Sequence, residues 1–408
     1  MKKENRRLSP WIGKGLLLLM LSVLLMPYLI VQLAVPDTVR VIEGQSWEFG
    51  GEMLELEAQE SEWVTVNENS IRRREDIEES AYARSSAQIK LFGILPIKSV
   101  SIEVWPEKRL LAGGHTVGID LYTDGILVLG TGKIETASGT EGSPARGILY
   151  AGDKIRRVNG QEVTTVEQVD EIIAQNGARP ITIQLTRDEE NLEVSITPKI
   201  GKDGKAKIGI WIRDRAQGLG TLTFVDPQSS LFGAVGHGIN DVDTGEVLPI
   251  HDGLITRAKI RHVVKGEEGL PGEVEGSLTG TILGQVTENT ESGVYGHYSG
   301  GQGDYAEYKI ILKDQVKNGE AVILSDIVDG EIHEYTVQIE KASGLPTFNH
   351  GMVVTVTDER LLQETGGIIQ GMSGCPILQD GKLIGAVTHV FVKDPTKGYG
   401  IYIENMLE

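Results

Sequence analysis

A serine near the end of the chain stands in a glycine-rich run whose residue types could support nucleophilic chemistry. The run is GMSGCP, residues 371–376, with Ser373 between Met372 and Gly374. A nucleophilic serine needs an exposed hydroxyl, a base within hydrogen-bond reach and donors aimed at the developing oxyanion. Because Gly371 has no side chain, its N–H can turn inward, and the N–H groups of Gly371 and Ser373 could together form an oxyanion hole. A purely structural tight turn is the competing interpretation.

The residue after Gly374 offers a second candidate nucleophile. Cys375 is the only cysteine, so the chain has no internal disulfide. It leads into the apolar run PIL, where a side chain enters a core strand. We therefore expect a small buried thiol rather than a nucleophile.

The base that activates such a serine is usually a histidine, and the sequence has eight. His237 in AVGHGI follows an apolar run and is bracketed by glycines, which favours an exposed ring at a strand end. His389 in GAVTHVFV reads as a strand wall or core residue, and His350 in FNHG follows a loop. Residue chemistry favours His237 but leaves His389 and His350 open. The remaining histidines lie in polar surroundings typical of a surface: His115, His251, His262, His297 and His333.

The acid that orients the base is harder to assign. Asp358 precedes the short amphipathic stretch ERLLQET, so a helix N-cap is its simplest role. Asp241, Asp243 and Asp252 follow His237 and are alternatives.

Composition excludes several other classes of chemistry. The sequence has no HExxH pair, Cys/His cluster, Walker loop or GxGxxG unit, so we expect no metal and no nucleotide or other cofactor. The net charge of −19 argues against nucleic acid as a partner.

The elements that must position these residues are mostly β-strands. The 51 glycines, with hairpin signals at Asp329-Gly330 and Asp380-Gly381, indicate a mainly β chain of 408 residues. We expect residues 208–408 to form a barrel or a pair of barrels.

Two smaller modules precede that region. Residues 111–198, with SPARGILYAGDKIRRVNG and the helical stretch TTVEQVDEIIAQNG, resemble a PDZ domain of the bacterial protease-associated type. PDZ domains bind an extended peptide as an added strand, and Gly118 and Ile119 are our candidates for that peptide-binding site. Residues 37–110 contain short alternating runs typical of half-buried strands and predict a small β segment.

The N-terminus predicts a membrane anchor. Residues 1–14 carry five basic residues against Glu4, and residues 15–36 have no charge. Twenty-two helical residues reach roughly 33 Å, enough to cross a bilayer core of about 30 Å. The basic flank predicts that everything after Pro36 lies outside the cytoplasm. A cleavable signal peptide is the alternative, but VQLAVPD is a poor cleavage site.

The whole layout resembles the SpoIVB peptidases, sporulation serine proteases of endospore-forming bacteria. The features that carry the resemblance are the anchor, KLFGILPIKSV, the PDZ-like region, AVGHGI and the stretch from VTDERLLQETGGIIQGMSGCPILQDGKLIGAV to the C-terminus. The resemblance implies a C-terminal trypsin-like double β-barrel with Ser373 as nucleophile, His237 as base and Asp358 as the third member. Where the family usually reads GMSGSP, this chain has Cys375.

The resemblance also implies a role. Such a protease sits in the forespore inner membrane, faces the space between forespore and mother cell, and cleaves itself in trans. It then cuts the extracytoplasmic regulator of an intramembrane protease, which activates a late sigma factor. The alternatives are a catalytically inactive, membrane-anchored PDZ adaptor and a quality-control protease of the periplasmic type.

Overall fold

The structure is a computed structural model that describes residues 28–29, 31–32, 35, 37–44, 54–58, 64–67, 70–73, 82–241, 245–301, 305–342 and 350–408. The chain divides after Lys108 into two compact units. The predicted basic segment 1–14 and most of the predicted anchor 15–36 lie outside the described residues, so the anchor stays a prediction. In the described ranges no helix is both long and apolar enough to span a membrane.

The first unit contains a four-stranded sheet in the order β1-β6-β5-β2, with β1 parallel to β6, and a separate hairpin of β3 and β4. Its strands are β1 (Thr38–Ile42), β2 (Leu54–Ala58), β3 (Val64–Asn67), β4 (Ser70–Arg73), β5 (Ala83–Leu91) and β6 (Leu95–Trp105). The alternation in SVSIEVW turns Val100, Ile102 and Val104 into one core.

The second unit begins with the strands that build the PDZ domain and part of a barrel. These are β7 (Arg109–Ala112), β8 (Thr116–Thr131), β9 (Ile134–Thr136), β10 (Gly139–Glu141), β11 (Lys154–Val158), β12 (Gln161–Glu162), β13 (Ile181–Arg187), β14 (Glu190–Ile196), β15 (Lys199–Ile200) and β16 (Ala206–Lys207). The PDZ helix is α1 (Val166–Asn176), with Thr165 as its N-cap in a capping box and Gly177 as its C-cap; the sequence had left Thr164 and Thr165 open as the N-cap. Val169 and Ile173 of α1 pack into the core of this domain.

A first barrel follows. Its remaining strands are β17 (Ile210–Val225), β18 (Leu231–Ala234), β19 (Ile250–Val264), β20 (Glu273–Thr290) and β21 (Gly293–Tyr298). Pairing runs β8-β19-β20-β21-β18-β17 and returns from β17 to β8, which closes the ring. The short strand β22 (Glu307–Lys309) pairs with β7 outside the ring.

A second closed barrel is formed by the C-terminal strands in the order β23-β24-β25-β28-β27-β26. They are β23 (Gly319–Ser325), β24 (His333–Lys341), β25 (Met352–Val356), β26 (Pro376–Gln379), β27 (Lys382–Phe391) and β28 (Asp394–Tyr402). Two short helices accompany it, α2 (Glu359–Thr365) and α3 (Ile403–Leu407). The hairpin predicted at Asp380-Gly381 joins β26 to β27.

The structure corrects the predicted use of one strand, β8. Its first half was expected to belong to the PDZ domain, but residues 116–123 pair with β17 on one edge and β19 on the other. Gly118 and Ile119 therefore lie in the wall of the first barrel, with both edges hydrogen-bonded. Because a PDZ ligand adds to a free strand edge, these two residues cannot receive a peptide here.

Candidate active site

The nucleophile turn, residues 371–374, has a backbone that only glycine satisfies at both ends. Gly371 has φ +104° and Gly374 has φ +99°. A Cβ on Gly374 would lie 2.1 Å from the carbonyl oxygen of Thr221, so no side chain fits there. The glycines of GMSG are thus required by conformation and by the close approach of β17.

Two threonines of β17 fix the carbonyl groups of this turn. The backbone N–H of Thr221 donates to the Ser373 carbonyl at 2.8 Å, and the Thr221 hydroxyl donates to the Gly371 carbonyl at 2.8 Å. The hydroxyl of Thr223 donates to the Gly374 carbonyl, also at 2.8 Å. With three carbonyl groups held against β17, the intervening peptide planes have defined orientations.

The N–H groups of the turn divide into two sets. Those of Met372, Gly374 and Cys375 donate to the carbonyls of Ile369, Val387 and Met372 at 2.8–3.1 Å. Within the described part of the chain, the N–H groups of Gly371 and Ser373 have no acceptor. These are the two donors that the sequence assigned to the oxyanion hole. Since backbone donors in a folded protein are nearly always paired, two unpaired amides one residue apart are available to a ligand oxygen.

His237 sits in a strained backbone segment that packs against the same strand as Ser373. Val235 and Gly236 have φ of +72° and +73°, and a positive φ at a β-branched residue is an outlier. A Cβ on Gly236 would lie 3.2 Å from Cγ2 of Thr388, so the segment lies directly on β27. The Ser373 hydroxyl donates to the carbonyl of Thr388 at 2.5 Å. Thr388 is therefore hydrogen-bonded to Ser373 and lies next to the residue that precedes His237.

The hydrogen bond of the His237 ring defines its tautomer. Nδ1 lies 2.8 Å from the carbonyl oxygen of Gly238, and because a carbonyl only accepts, Nδ1 carries the hydrogen. Nε2 is then the unprotonated nitrogen, as a general base requires. Burial lowers the pKa of His237 below its usual value, so the ring is neutral at pH 7.

Two further histidines and a tyrosine extend this site. The His389 ring centroid lies 4.4 Å from that of His237 and 5.5 Å from that of His350, and the His350 and Tyr399 centroids are 4.0 Å apart. Burial and the neighbouring histidines lower the pKa of His389 to about 4, and burial lowers the pKa of His350. The sequence had placed His389 in a strand wall. In the structure it lies beside His237, within a register shift of the β27–β28 pairing between Val387 and Val390.

Asp358 is the N-cap of α2. It accepts from the N–H groups of Arg360 at 3.0 Å and Leu361 at 3.3 Å, and from the Thr336 N–H at 3.3 Å. Its carboxylate also pairs with the Arg360 guanidinium at 2.9 Å, which lowers its pKa to about 2. In the described residues its partners do not include His237. The structure places Ser373 and the segment before His237 against the same residue, Thr388, and leaves Asp358 as the cap of α2.

The other predicted acids have different positions. Asp241 is buried and pairs with Arg213 at 3.0 Å, Asp252 is adjacent to His251, and Asp243 lies outside the described residues. Cys375 is fully buried, and burial raises its pKa to about 12. The prediction of a small buried thiol is confirmed. Over the described ranges no group of three or more His, Cys, Asp or Glu residues is arranged to hold a metal ion.

Comparison with known families identifies the family of this chain. The profile of the SpoIVB peptidase S55 family matches residues 204–407, half of the 408 residues. The chain belongs to the SpoIVB peptidase S55 family. It is a serine peptidase, and a PDZ domain profile matches residues 135–187. No curated protein matches the chain.

Solved structures that match this S55 peptidase cover its PDZ domain. The PDZ domain of the SdrC-like protein from Listeria monocytogenes is 23% identical over 22% of this chain and 87% of its own, with a TM-score of 0.18. The PDZ domain of the SdrC-like protein from Listeria innocua is 28% identical over 21% and 93%, with a TM-score of 0.17. The second domain of a Listeria protein is 31% identical over 22% and 85%, with a TM-score of 0.19.

The sequence did not indicate one part of the S55 site, the two threonines of β17 whose hydroxyls hold the carbonyl groups of the nucleophile turn. Thr221 and Thr223 occur in GTLTFV, an alternating run that predicts a half-buried strand and nothing more. The signal that points to them is two hydroxyls in a buried strand, where each needs a hydrogen-bond partner.

Proposed function

We propose that this chain is a membrane-anchored, extracytoplasmic serine endopeptidase of sporulation. It cleaves itself in trans and then cuts the extracytoplasmic regulator of an intramembrane protease, which leads to activation of a late sigma factor. The observation that carries the catalytic part is the pair of unpaired amides, Gly371 and Ser373, at the hydroxyl of Ser373. The family membership supports the sporulation role.

The mechanism uses Ser373 and the neutral His237. The Ser373 oxygen attacks the scissile carbonyl carbon while Nε2 of His237 takes its proton, and the carbonyl oxygen becomes an oxyanion bound by the two free amides. The imidazolium then returns the proton to the leaving amine, which departs and leaves an acyl ester on Ser373. Water, deprotonated by Nε2, attacks the ester, and the released serine recovers the proton from His237.

The resting hydrogen bond of Ser373 must change before attack. Its hydroxyl donates to the Thr388 carbonyl, so the hydroxyl has to turn and direct its hydrogen to Nε2 of His237. The carbonyl of Gly238 holds Nδ1 of the ring in the position where other serine proteases use a carboxylate. A backbone carbonyl orients the ring and fixes the tautomer, but it has no full charge with which to stabilise the imidazolium.

The location and the substrates rest on the N-terminal sequence and on the family. The basic segment 1–14 and the uncharged run 15–36 support an anchor with its catalytic part outside the cytoplasm. Residues between the anchor and the PDZ domain are the proposed region of self-cleavage, because cutting there releases the second unit from the membrane.

The test uses the full chain in membranes, with tagged Ser373→Ala protein as substrate. We expect wild-type protein to cut the tagged variant between residues 37 and 110, as read by mass spectrometry of the new N-terminus. Ser373→Ala and His237→Ala enzymes should leave it intact, and Ser299→Ala, at an exposed serine, should cut it normally. Cleavage of the tagged variant by Ser373→Ala enzyme would exclude the mechanism. Cleavage only within one chain would exclude action in trans.

A further inference from the structure

The PDZ domain contains a groove between the second half of β8 and helix α1. PDZ ligands bind in such a groove as an extended strand that pairs with the adjacent β-strand. In this chain the groove is bounded by residues 126–131 of β8 on one side and by Val169 and Ile173 of α1 on the other. The residues that pair with residues 126–131 of β8 therefore occupy the position of a ligand.

The chain's own residues 206–214, here called the internal segment, fill this position. Its residues 210–213 run antiparallel to β8, with Ile210 opposite Thr131 and Arg213 opposite Leu127, and its residues 206–207 pair with β15. On the helix side, the Asp214 carboxylate accepts from the first N–H of α1, that of Val166, at 2.9 Å. This is strand addition beside a helix, the arrangement in which a PDZ domain holds a peptide.

The side chains of the internal segment alternate as those of a bound peptide do. Ala206 and Ile208 are 8% and 2% exposed and belong to the same core as Val169 of α1, and Ile210 and Ile212 pack against it. The intervening Lys205 and Lys207 are exposed. Four inward aliphatic residues at every second position therefore fill the groove, and the basic side chains face solvent.

Further backbone hydrogen bonds hold the segment beyond its pairing with β8. The Ile208 carbonyl accepts from the Ala145 N–H at 3.1 Å, and the Gly209 carbonyl accepts from the Gly132 N–H at 2.9 Å. Gly209 has φ +70°, and a Cβ on it would lie 2.6 Å from the Gly132 carbonyl oxygen, so the close approach depends on glycine. A cavity of about 370 Å³ remains along the segment, lined by residues 132–135, Asp170, Ile173 and 206–211.

We propose that residues 206–214 act as a tethered ligand of the PDZ groove. The peptide that competes for the groove is an extended chain with aliphatic side chains at alternate positions, and it binds only when residues 206–212 leave. The internal segment does not end in the groove but continues as β17, so the groove provides no place for a free terminal carboxylate while it is filled. The PDZ domain is therefore closed to ligands in the resting enzyme.

The test measures binding, so it does not depend on peptidase activity. The full chain carries Ser373→Ala to prevent cleavage, and the probe is a fluorescein-labelled peptide of residues 204–214, GKAKIGIWIRD. Replacing inward Ile208 by serine should tighten peptide binding at least tenfold in fluorescence anisotropy, because the tethered competitor is weakened. The matched variant Lys205→Ser changes an outward side chain of the same segment and should bind as the parent does. Equal affinity of the parent and the Ile208→Ser variant would overturn the proposal.

A second variant covers the case in which Ile208→Ser does not fold. Thr131→Cys with Ile210→Cys places cysteines on opposed residues of the two strands, and buried Cys375 does not compete. Oxidation should lock the segment and abolish peptide binding, and reduction should restore binding to at least the affinity of the parent, because Ile210→Cys also weakens the tethered competitor. Equal binding in the oxidised and reduced proteins would show that the peptide binds elsewhere and would overturn the proposal.

Discussion

The ring centroids of His237 and His389 lie 4.4 Å apart. His389 belongs to β27, and the carbonyl of the preceding residue, Thr388, accepts the hydrogen bond of Ser373. The ring of His389 packs against the ring of the general base. Burial keeps this base unprotonated to lower pH than an exposed histidine.

The first prediction concerns the pH dependence of peptidase activity. Because burial lowers the pKa of His237, the acid limb of kcat/KM should have its midpoint below pH 6.5, the usual value for histidine. Replacing His389 by phenylalanine keeps a ring against His237 and should leave kcat within about fivefold of wild type, since His389 only packs against the base. Replacing His237 by phenylalanine should lower kcat about 10³-fold or more. Equal losses in the two variants would contradict this assignment.

The pH dependence of stability follows from His389. Its pKa is about 4 in the folded protein and near the ordinary 6.5 in the unfolded chain, so the unfolded state binds more protons in that window. The free energy of unfolding should therefore fall as the pH is lowered from about 6.5 to about 4. Thermal melts of wild type and His389→Phe should diverge in this range, and the exposed His297→Phe serves as the control. Parallel curves for wild type and His389→Phe would show that His389 does not contribute.

The oxyanion hole is tested through its glycines. Gly371→Ala combines φ +104° with a Cβ 2.8 Å from Cγ2 of Val274, which must shift the amide of Gly371. We expect a loss of about 10²–10³-fold in kcat, the usual effect of removing one oxyanion donor. Gly381→Ala is the matched control, with φ +69° but open space around it, and should change melting temperature without changing kcat. Normal kcat in Gly371→Ala would remove this amide from the mechanism.

Thr221 is predicted to be a positioning residue. Thr221→Val keeps the shape of the side chain but leaves the Gly371 carbonyl without its 2.8 Å donor, which should cost about 1–3 kcal/mol of stability. If the bond aligns the oxyanion amide, kcat should fall at least tenfold at constant KM, and Thr221→Ser, which restores the hydroxyl, should recover most of it. A stability loss with unchanged kcat would assign Thr221 to packing alone.

For Asp358, the role of helix N-cap and the role of triad acid predict different results. As an N-cap it should tolerate asparagine, so Asp358→Asn should keep kcat within about tenfold, whereas Asp358→Ala should lose about 0.5–2 kcal/mol of stability. The carboxylate has a folded pKa of about 2 against 3.8, so its extra stabilisation is present above pH 3.8 and is lost as the pH falls towards 2. A loss of 10³-fold or more in Asp358→Asn, with an unchanged melting temperature, would instead support the triad role that the family resemblance implies.

The turn around Ser373 could be predicted from the sequence, because glycines on both sides of a serine indicate a backbone that needs positive φ or a close approach of another strand. Gly371 and Gly374 are needed at positive φ, and the unpaired N–H groups fall on the two residues that the spacing indicates. The helix cap at Thr165 and the buried thiol of Cys375 were predictable for the same reason, since each depends on its immediate neighbours.

What depends on long-range pairing could not be predicted. The sequence TVGIDLYTDGILVLG reads as one or two strands, and nothing local indicates that its first half closes a barrel and its second half belongs to a PDZ domain. The sequence indicates only that His389 lies in a strand. Its closeness to His237 could not be predicted, because it depends on how two segments far apart in the chain pack together. The partner of Asp358 could not be predicted either, since a cap and a triad acid have the same local sequence.

The sharing of β17 between the PDZ groove and the nucleophile turn has a consequence for how the second unit denatures. A single strand whose beginning lies in one core and whose end holds the carbonyls of Gly371 and Ser373 couples the global unfolding of the two regions, even though residues 206–212 alone leave the groove when a peptide binds. The PDZ and peptidase regions should therefore melt in one calorimetric transition. For the same reason, exchanging the PDZ domain for that of another protein at a boundary near residue 200 should abolish folding rather than produce a working chimera.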